Sequence, residues 1–238
     1  MATYLKYSIL IAVCLGAFFI TYTSINSGQE ETLLMLRDHL SRAQEWPSYE
    51  TVQTIWSGDQ QQLKIHSQAK LDPYVIWVSS AARLTDTEEF HFQIYFQPDV
   101  LYIYSENANH WNKADYTHPV AGEVQGLKEP FPFWERILMK AKTIQRTHHE
   151  DNTLYKISLH PFQDEVHGVR FDDVLEGTLT VSINKESKHL QKTVLEVKMK
   201  PSLARLHEHI VYMTEYRNVG ETTAKELPKE ALEAERLK

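Results

Sequence analysis

Histidines and carboxylates are the residues here that chemistry would recruit, and the chain has twelve histidines. His207 and His209 flank Glu208. Alternate residues of a strand share a face, so both imidazoles would point one way, as a pair of metal ligands does. His148, His149, Glu150 and Asp151 fall together in a turn-like stretch, and Asp164, Glu165 and His167 form another polar cluster. A metal centre takes three or four converging ligands, and nothing in these spacings imposes convergence. Solvated surface histidines are the reading they favour. Asp172 and Asp173 adjoin a turn and read as a loop pair rather than an acid and a base. There is no G-x-S-x-G, P-loop, G-x-G-x-x-G, H-E-x-x-H or C-x-x-C motif. Cys14, the single cysteine, lies inside an apolar run, which excludes thiol catalysis. The expectation is a protein that is not an enzyme and holds no metal and no cofactor.

Aromatic residues are the remaining signal. Trp56, Trp77, Trp111 and Trp134, with Phe90, Phe92, Phe96, Tyr102, Tyr104, Phe131 and Phe133, are suited either to line a cavity or to pack a core. The elements that must position them are mostly strands. Apolar or small residues alternate with polar ones over Leu63–Leu71, Phe90–Phe96, Leu175–Ile183 and Leu195–Met199. This is the period of half-buried strands in an antiparallel sheet with one covered face. Further strands are expected at Tyr49–Trp56, Tyr74–Ser79, Val100–Tyr104, Leu154–Leu159 and Leu206–Tyr216. Short turns such as Ser57-Gly58-Asp59 and Gln97-Pro98-Asp99 suit a meander. Helical spacing appears over Glu30–Trp46 (Leu33, Leu36, Leu40, Ala43), over Phe131 to about Gln145 (Phe133, Ile137, Leu138, Ala141), and in the tail from Pro228. The expected fold class is α+β: a large curved antiparallel sheet whose apolar concave face is covered by amphipathic helices.

Ser8–Ile25 carries no charge, and no other run in the chain resembles it. It is at the short end of the roughly 20 residues that span a bilayer. It ends in Tyr22-Thr23-Ser24-Ile25-Asn26-Ser27, a poor match to a small-residue cleavage site, so an uncleaved signal anchor is favoured over a cleaved signal. Val13 before Cys14, and the position of Cys14 within the run, disfavour lipidation. Lys6 precedes the run and Glu30 and Glu31 follow it, which places the N-terminus in the cytoplasm and the bulk outside. Residues 1–27 are read as a cytoplasmic tip and transmembrane anchor at the cell membrane, and residues 28–238 as one extracytoplasmic domain. That domain has no cysteine. It carries 24 bases against 32 acids, a net charge of −8, which makes nucleic acid a poor partner.

Three local phrases bear a family likeness: Leu101-Tyr102-Ile103-Tyr104; His110-Trp111-Asn112-Lys113; and Gly177 to Lys185 followed by Leu190 to Val197. With the order helix, meander, mid-chain helix and further strands, the stretch from about Glu31 to Val219 resembles the LolA/LppX-like superfamily. This superfamily includes lipoprotein carriers, lipid-binding lipoproteins and the amino-terminal half of RseB-type regulators. The resemblance implies an unclosed β-barrel with a helical lid over an apolar cavity. The function it implies is binding of an acyl chain, a lipid or the lipid of a lipoprotein. The trough would then be lined by Leu63, Ile65, Trp77, Phe92, Ile94, Tyr102, Leu179, Val181, Leu195 and Val197. Phe131, Phe133, Trp134, Ile137 and Leu138 would form the lid. The alternative is an envelope interaction or regulatory module of the same fold, with a filled core and no ligand cavity.

Overall fold

The computed structural model describes residues 28–85, 87–201 and 208–237. The expected anchor at residues 1–27, Cys14 within it, and His207 lie outside the described residues. Among the described residues no helix is long and apolar enough to cross a membrane. Of the described residues, 28–38 and those from His39 onward belong to separate units. In the first, residues 28–38 are helical, and Thr32 Oγ1 donates to the Gly28 carbonyl at 2.8 Å. The helix, α1, continues to residue 43, so its last residues open the second unit. Expected to reach Trp46, it instead tightens into successive i→i−3 bonds at Gln44, Glu45 and Trp46. Pro47 follows, and the residue before a proline is driven out of the helical region.

The second unit is built on one sheet. Six strands follow in a meander: β1 (Ser48–Ser57), β2 (Gln60–Leu71), β3 (Tyr74–Arg83), β4 (Glu89–Phe96), β5 (Val100–Ser105) and β6 (His110–Asp115). Two helices interrupt, α2 (Pro119–Lys128) and α3 (Phe131–Leu138). Then come β7 (Ala141–His148), β8 (Asn152–Leu159), β9 (Phe162–Val166), β10 (Val169–Asn184), β11 (Leu190–Met199) and β12 (His209–Arg217). A single helical turn, α4 (Lys229–Leu232), and a short β13 (Glu235–Arg236) close the chain. The order across the sheet is β13-β6-β5-β4-β3-β2-β1-β12-β11-β10-β8-β7, with β9 paired to β10. Every pairing is antiparallel except β13 on β6. The sheet is therefore unclosed, as expected: β7 at one end and β13 at the other pair with no common neighbour.

Further elements differ from the sequence expectation. The second helix was expected to run to about Gln145, but it stops at Leu138. From Ala141 onward Thr143, Ile144 and Thr147 favour strand, and β-branched side chains pack better on a pleated surface than on a helix. α2 was not anticipated. It holds two glycines and two valines, all weak helix formers, and its start is capped by His118, whose Nδ1 accepts from the Val120 N–H at 3.2 Å. β9 is five residues long and was not anticipated; its Asp164 and Glu165 were read only as part of a polar cluster.

Period two sorts the side chains onto two faces. Register carries one inner row from Leu179 (β10) through Leu195 (β11), Tyr212 (β12), Ile55 (β1) and Leu63 (β2) to Ala82 and Phe90. On the outer face Trp77, Tyr95 and Tyr102 lie abreast on β3, β4 and β5. The tail crosses them: Ala231 and Ala234 are buried against this trio, with Leu227 and Trp111 packed beside it. Tyr95 donates its hydroxyl to the Glu226 carbonyl at 3.1 Å, and Lys225 Nζ sits 4.2 Å above the Trp77 ring. Burial of the Tyr95 phenol pushes its pKa up to about 12, so it stays a donor at any ordinary pH.

Ala231 has no accessible surface, and a larger side chain there must overpack. Ala231→Arg is expected to lift the tail from Trp77 and Tyr95, red-shift the tryptophan emission and cost about 1–3 kcal/mol in urea unfolding.

Candidate functional site

α3 is seated on the inner face where the two halves of the sheet meet. Its apolar residues recur at 131, 133, 134, 137 and 138, all buried, while Pro132 and Arg136 point outward. Phe131 stacks on Tyr216 (centroids 5.5 Å, planes 16° apart) and meets Tyr49 and Trp46 edge-on. Trp134 stacks on Tyr212 at 4.7 Å and 21°. Phe133 lies 5.2 Å from Tyr212 and 5.9 Å from Phe171. Gln44 reaches over to donate to Glu135 Oε1 at 2.7 Å.

Thirteen of the fifteen residues expected to line the trough and lid share this inner face; Trp77 and Tyr102 lie on the outer face, under the tail. The two had been grouped with the rest on aromatic character, and strand alternation separates them. Of the thirteen, Ile65, Ile94, Phe131, Trp134, Ile137, Leu138 and Leu195 have no accessible surface. Leu63, Phe133, Leu179, Val181 and Val197 have almost none. A side chain facing a void that admits water would retain some. Apart from Leu63 and from Phe133, which also borders a surface cleft, these residues meet protein atoms on every side.

Phe92 is the exception, and it is half-buried. Beside it on the inner face are Phe90, whose ring is 5.7 Å away, and Ile103, cross-strand from Ile94. All three keep partial exposure, and Leu84, just past the end of β3, is exposed. The apolar inner face thus continues past its packed part towards the ends of β3, β4 and β5 with less cover.

A second feature of this face is polar. Thr193, Thr214 and Gln53 lie abreast on β11, β12 and β1, and Thr51 shares a 2.5 Å hydrogen bond with Ser67. Into this row reaches His167 from the β9–β10 hairpin. The turn is two residues long, His167 and Gly168, with φ of +51° and +76°. Two positive φ values define the hairpin turn that matches strand twist. Gly168 adopts its value without strain, whereas His167 does so at a cost. The His167 Nε2 lies 3.0 Å from Gln53 Oε1 and 3.2 Å from the Tyr212 hydroxyl, and Tyr212 itself donates to Gln53 Oε1. Gln53 Oε1 only accepts, so Nε2 carries the ring proton and Nδ1 is a bare acceptor. Burial holds the His167 pKa down, to about 4, and the imidazole is neutral. The same burial raises the Tyr212 phenol.

Beside His167 is a cleft of about 250 Å³ between the end of α2, the start of α3 and the hairpin. Pro130, Pro132, Phe133 and Val166 supply its apolar wall, and Glu129, Glu165 and Arg136 its charges. Arg136 is occupied: it donates to both Asp164 carboxylate oxygens, at 2.9 and 3.3 Å, and to the Pro132 carbonyl. The polar cluster at 164–167 therefore splits, with Asp164 facing Arg136 and only His167 turning inward. The Val-His-Gly-Val stretch carries a signal for the hairpin, two strand residues flanking a two-residue turn, but none for the inward course of His167. His209 is exposed, and among the described residues no three His, Cys, Asp or Glu converge on a point that would hold a metal ion. Asp172 and Asp173 adjoin an irregularity in the β9–β10 pairing, where Asp173 has a φ of +54°.

No family model and no curated protein matches the sequence. Among solved structures, the crystal structure of LprF from Mycobacterium bovis superposes with a TM-score of 0.50 over 85% of this chain and 98% of LprF, at 10% identity. The chain has a LolA/LppX-like fold. At that identity the likeness concerns the fold alone.

Two outcomes follow from this geometry. Phe133 abandons a full set of neighbours on truncation, so Phe133→Ala is expected to cost about 3–5 kcal/mol in urea unfolding. A histidine held neutral when folded supports the fold fully above its unfolded pKa, near 6.5. That support is lost as pH falls through the folded value of about 4. Urea midpoints should drop over this window, by an energy of order 3 kcal/mol. His167→Asn restores a favoured Asn-Gly turn and removes the titrating group, so its drop over the same window should be smaller.

Proposed function

We propose that this is a membrane-anchored, extracytoplasmic module that binds an apolar ligand on the inner face of its half-barrel. The ligand is an acyl chain, a lipid or the lipid of a lipoprotein. The observation that carries the proposal is the strip of Phe90, Phe92 and Ile103. Large apolar side chains continue the core row there, yet keep accessible surface. Ligand sites of this kind are concave and mostly apolar, and an acyl chain laid along the strip would complete the cover that α3 supplies elsewhere. The fold supports the reading, because the apolar inner face of the curved sheet is stabilised by any cover it gains where helices do not reach. The uncharged Ser8–Ile25 run supports an anchor that holds the domain at the outer side of the membrane.

A second reading has its own observation. The twelve inner-face residues without appreciable exposure leave α3 acting as a structural plug rather than a lid, and a filled core of normal density suits an envelope interaction module. Titration of the residue 28–238 domain with a fluorescent fatty acid separates the two. Saturable binding, weakened at least about tenfold in Phe92→Asp with the urea midpoint nearly unchanged, is expected. Absence of binding by the unaltered domain would favour the interaction module. The anchor has a separate check: the full-length chain should stay with membranes through carbonate extraction and keep its amino terminus. A protein starting near Gly28 in the medium would overturn the anchor.

A further inference from the structure

We propose that the free border at β7 is a docking edge for an extended acidic segment of a partner protein, which joins the sheet as one further strand. The edge is separate from the apolar strip and does not rest on it. The first observation is open backbone. β7 ends the sheet order, and β8 is its one strand partner among the described residues. In an antiparallel pair the backbone groups of a strand point alternately towards and away from its neighbour. Half of the N–H and C=O groups along the eight residues of β7 therefore face outward. The opposite border is treated otherwise, since β13 lies along β6 there.

The second is charge. Lys142 and Arg146 are exposed, and among the described residues no carboxylate is ion-paired with either. Lys156 on the adjoining strand is exposed too. Between Lys140 and Leu159 the acids are Glu150 and Asp151, both in the turn beyond the end of β7, where Lys185 donates to the Glu150 carbonyl at 3.2 Å. Bases on an edge repel a second copy of that edge. In a chain of negative net charge they also reverse the local sign, which steers an acidic segment to this border. The third is spacing. Ile144 lies between the two bases, half-buried and cross-strand from Ile157. The Arg146 guanidinium carbon lies 5.7 Å from the centre of the Tyr155 ring, and the register with β8 passes over Lys142. Cross-strand pairs decide which strands fit side by side. An added strand that suits β7 carries an acid, an apolar residue and an acid at alternate positions, opposite Lys142, Ile144 and Arg146. An anionic membrane would meet the same cations, but it has no backbone to fill the border, and the chain's net charge opposes its approach.

The test uses the full-length chain in a neutral detergent. The probe is a terminally blocked, dye-labelled peptide of threonines with glutamate, valine and glutamate at its second, fourth and sixth positions. Saturable binding by fluorescence anisotropy is expected, with amide-exchange protection gained over residues 141–148 and not over β6. The same peptide with lysine for glutamate, and the acidic peptide with every internal amide N-methylated, should each bind at least about tenfold more weakly. The double variant Lys142→Glu, Arg146→Glu should exchange the preference, losing the acidic peptide and gaining the lysine one. Its thermal midpoint should stay close to that of the unaltered chain, since both side chains are exposed. No binding at millimolar acidic peptide would overturn the edge, as would equal binding of the N-methylated peptide, protection elsewhere than β7, or an unchanged preference in the double variant. Phosphatidylglycerol vesicles are the remaining arm: binding to them that the double variant abolishes, with no peptide binding, would make this border a membrane contact and overturn the proposal.

Discussion

The pairing of β1 with β12 is the contact on which the rest of the domain depends. It runs from Glu50 opposite Arg217 to Ser57 opposite Ile210, eight residue pairs between the beginning and the end of the sheet sequence. Remove it and two meanders remain, each with an apolar face. With it, they become one surface, and the seam is where Tyr49, Tyr212 and Tyr216 present their rings to α3. The cost of closing a loop rises only logarithmically with its length, so the thermodynamic burden of joining such distant segments is modest. The kinetic burden is greater, because pairings this remote in sequence slow folding. α3 follows β6 and α2 and precedes β7, so it lies between the two meanders in the chain as well as in space.

Tyr212 is the point at which these contacts meet. Its ring is the platform for Trp134, its hydroxyl donates to Gln53 on the adjacent strand, and the same oxygen lies within reach of His167. One phenol thus fixes the helix, the seam and the β9–β10 hairpin relative to one another. Because burial raises its pKa, it remains a donor, and the direction of every hydrogen bond in the trio is set. A network of this kind narrows the number of packings a core can adopt, since each alternative strands a buried polar atom. An all-apolar core would be looser in register.

The strands were legible because their period is two over long stretches, and register then follows from which face is apolar. Leu63, Ile65, Ile94, Leu179 and Leu195 fall on one face for that reason alone. Trp77 and Tyr102 resisted the same reading because both sheet faces of β3–β5 are apolar. The second apolar layer exists only because the tail returns over it, and no local pattern announces that return. α2 was hidden by its glycines and by a histidine cap, and the end of α3 by Ala141, a strong helix former that here opens β7. The polar seam was the least accessible. Gln53, His167 and Tyr212 are separated by more than forty residues at every step, so their meeting is a property of the register, and His167 alone looks like one surface histidine among many.

The tail that packs on the outer face ends in β13, two residues paired parallel to β6. Its grip is reinforced by the Leu237 N–H on the Lys113 carbonyl and by Arg236 on Asp115. A sheet that does not close has two free borders, and a free border offers unpaired amides to any neighbouring chain. The two ends of this sheet answer that hazard differently. At β7 the border strand is mostly exposed, and Lys142 and Arg146 make it a charged template that repels its own kind. At β6 the chain occupies the border with its own terminus. The residues of β13 thus act as a self-made guard strand over part of the border that β6 would otherwise leave open.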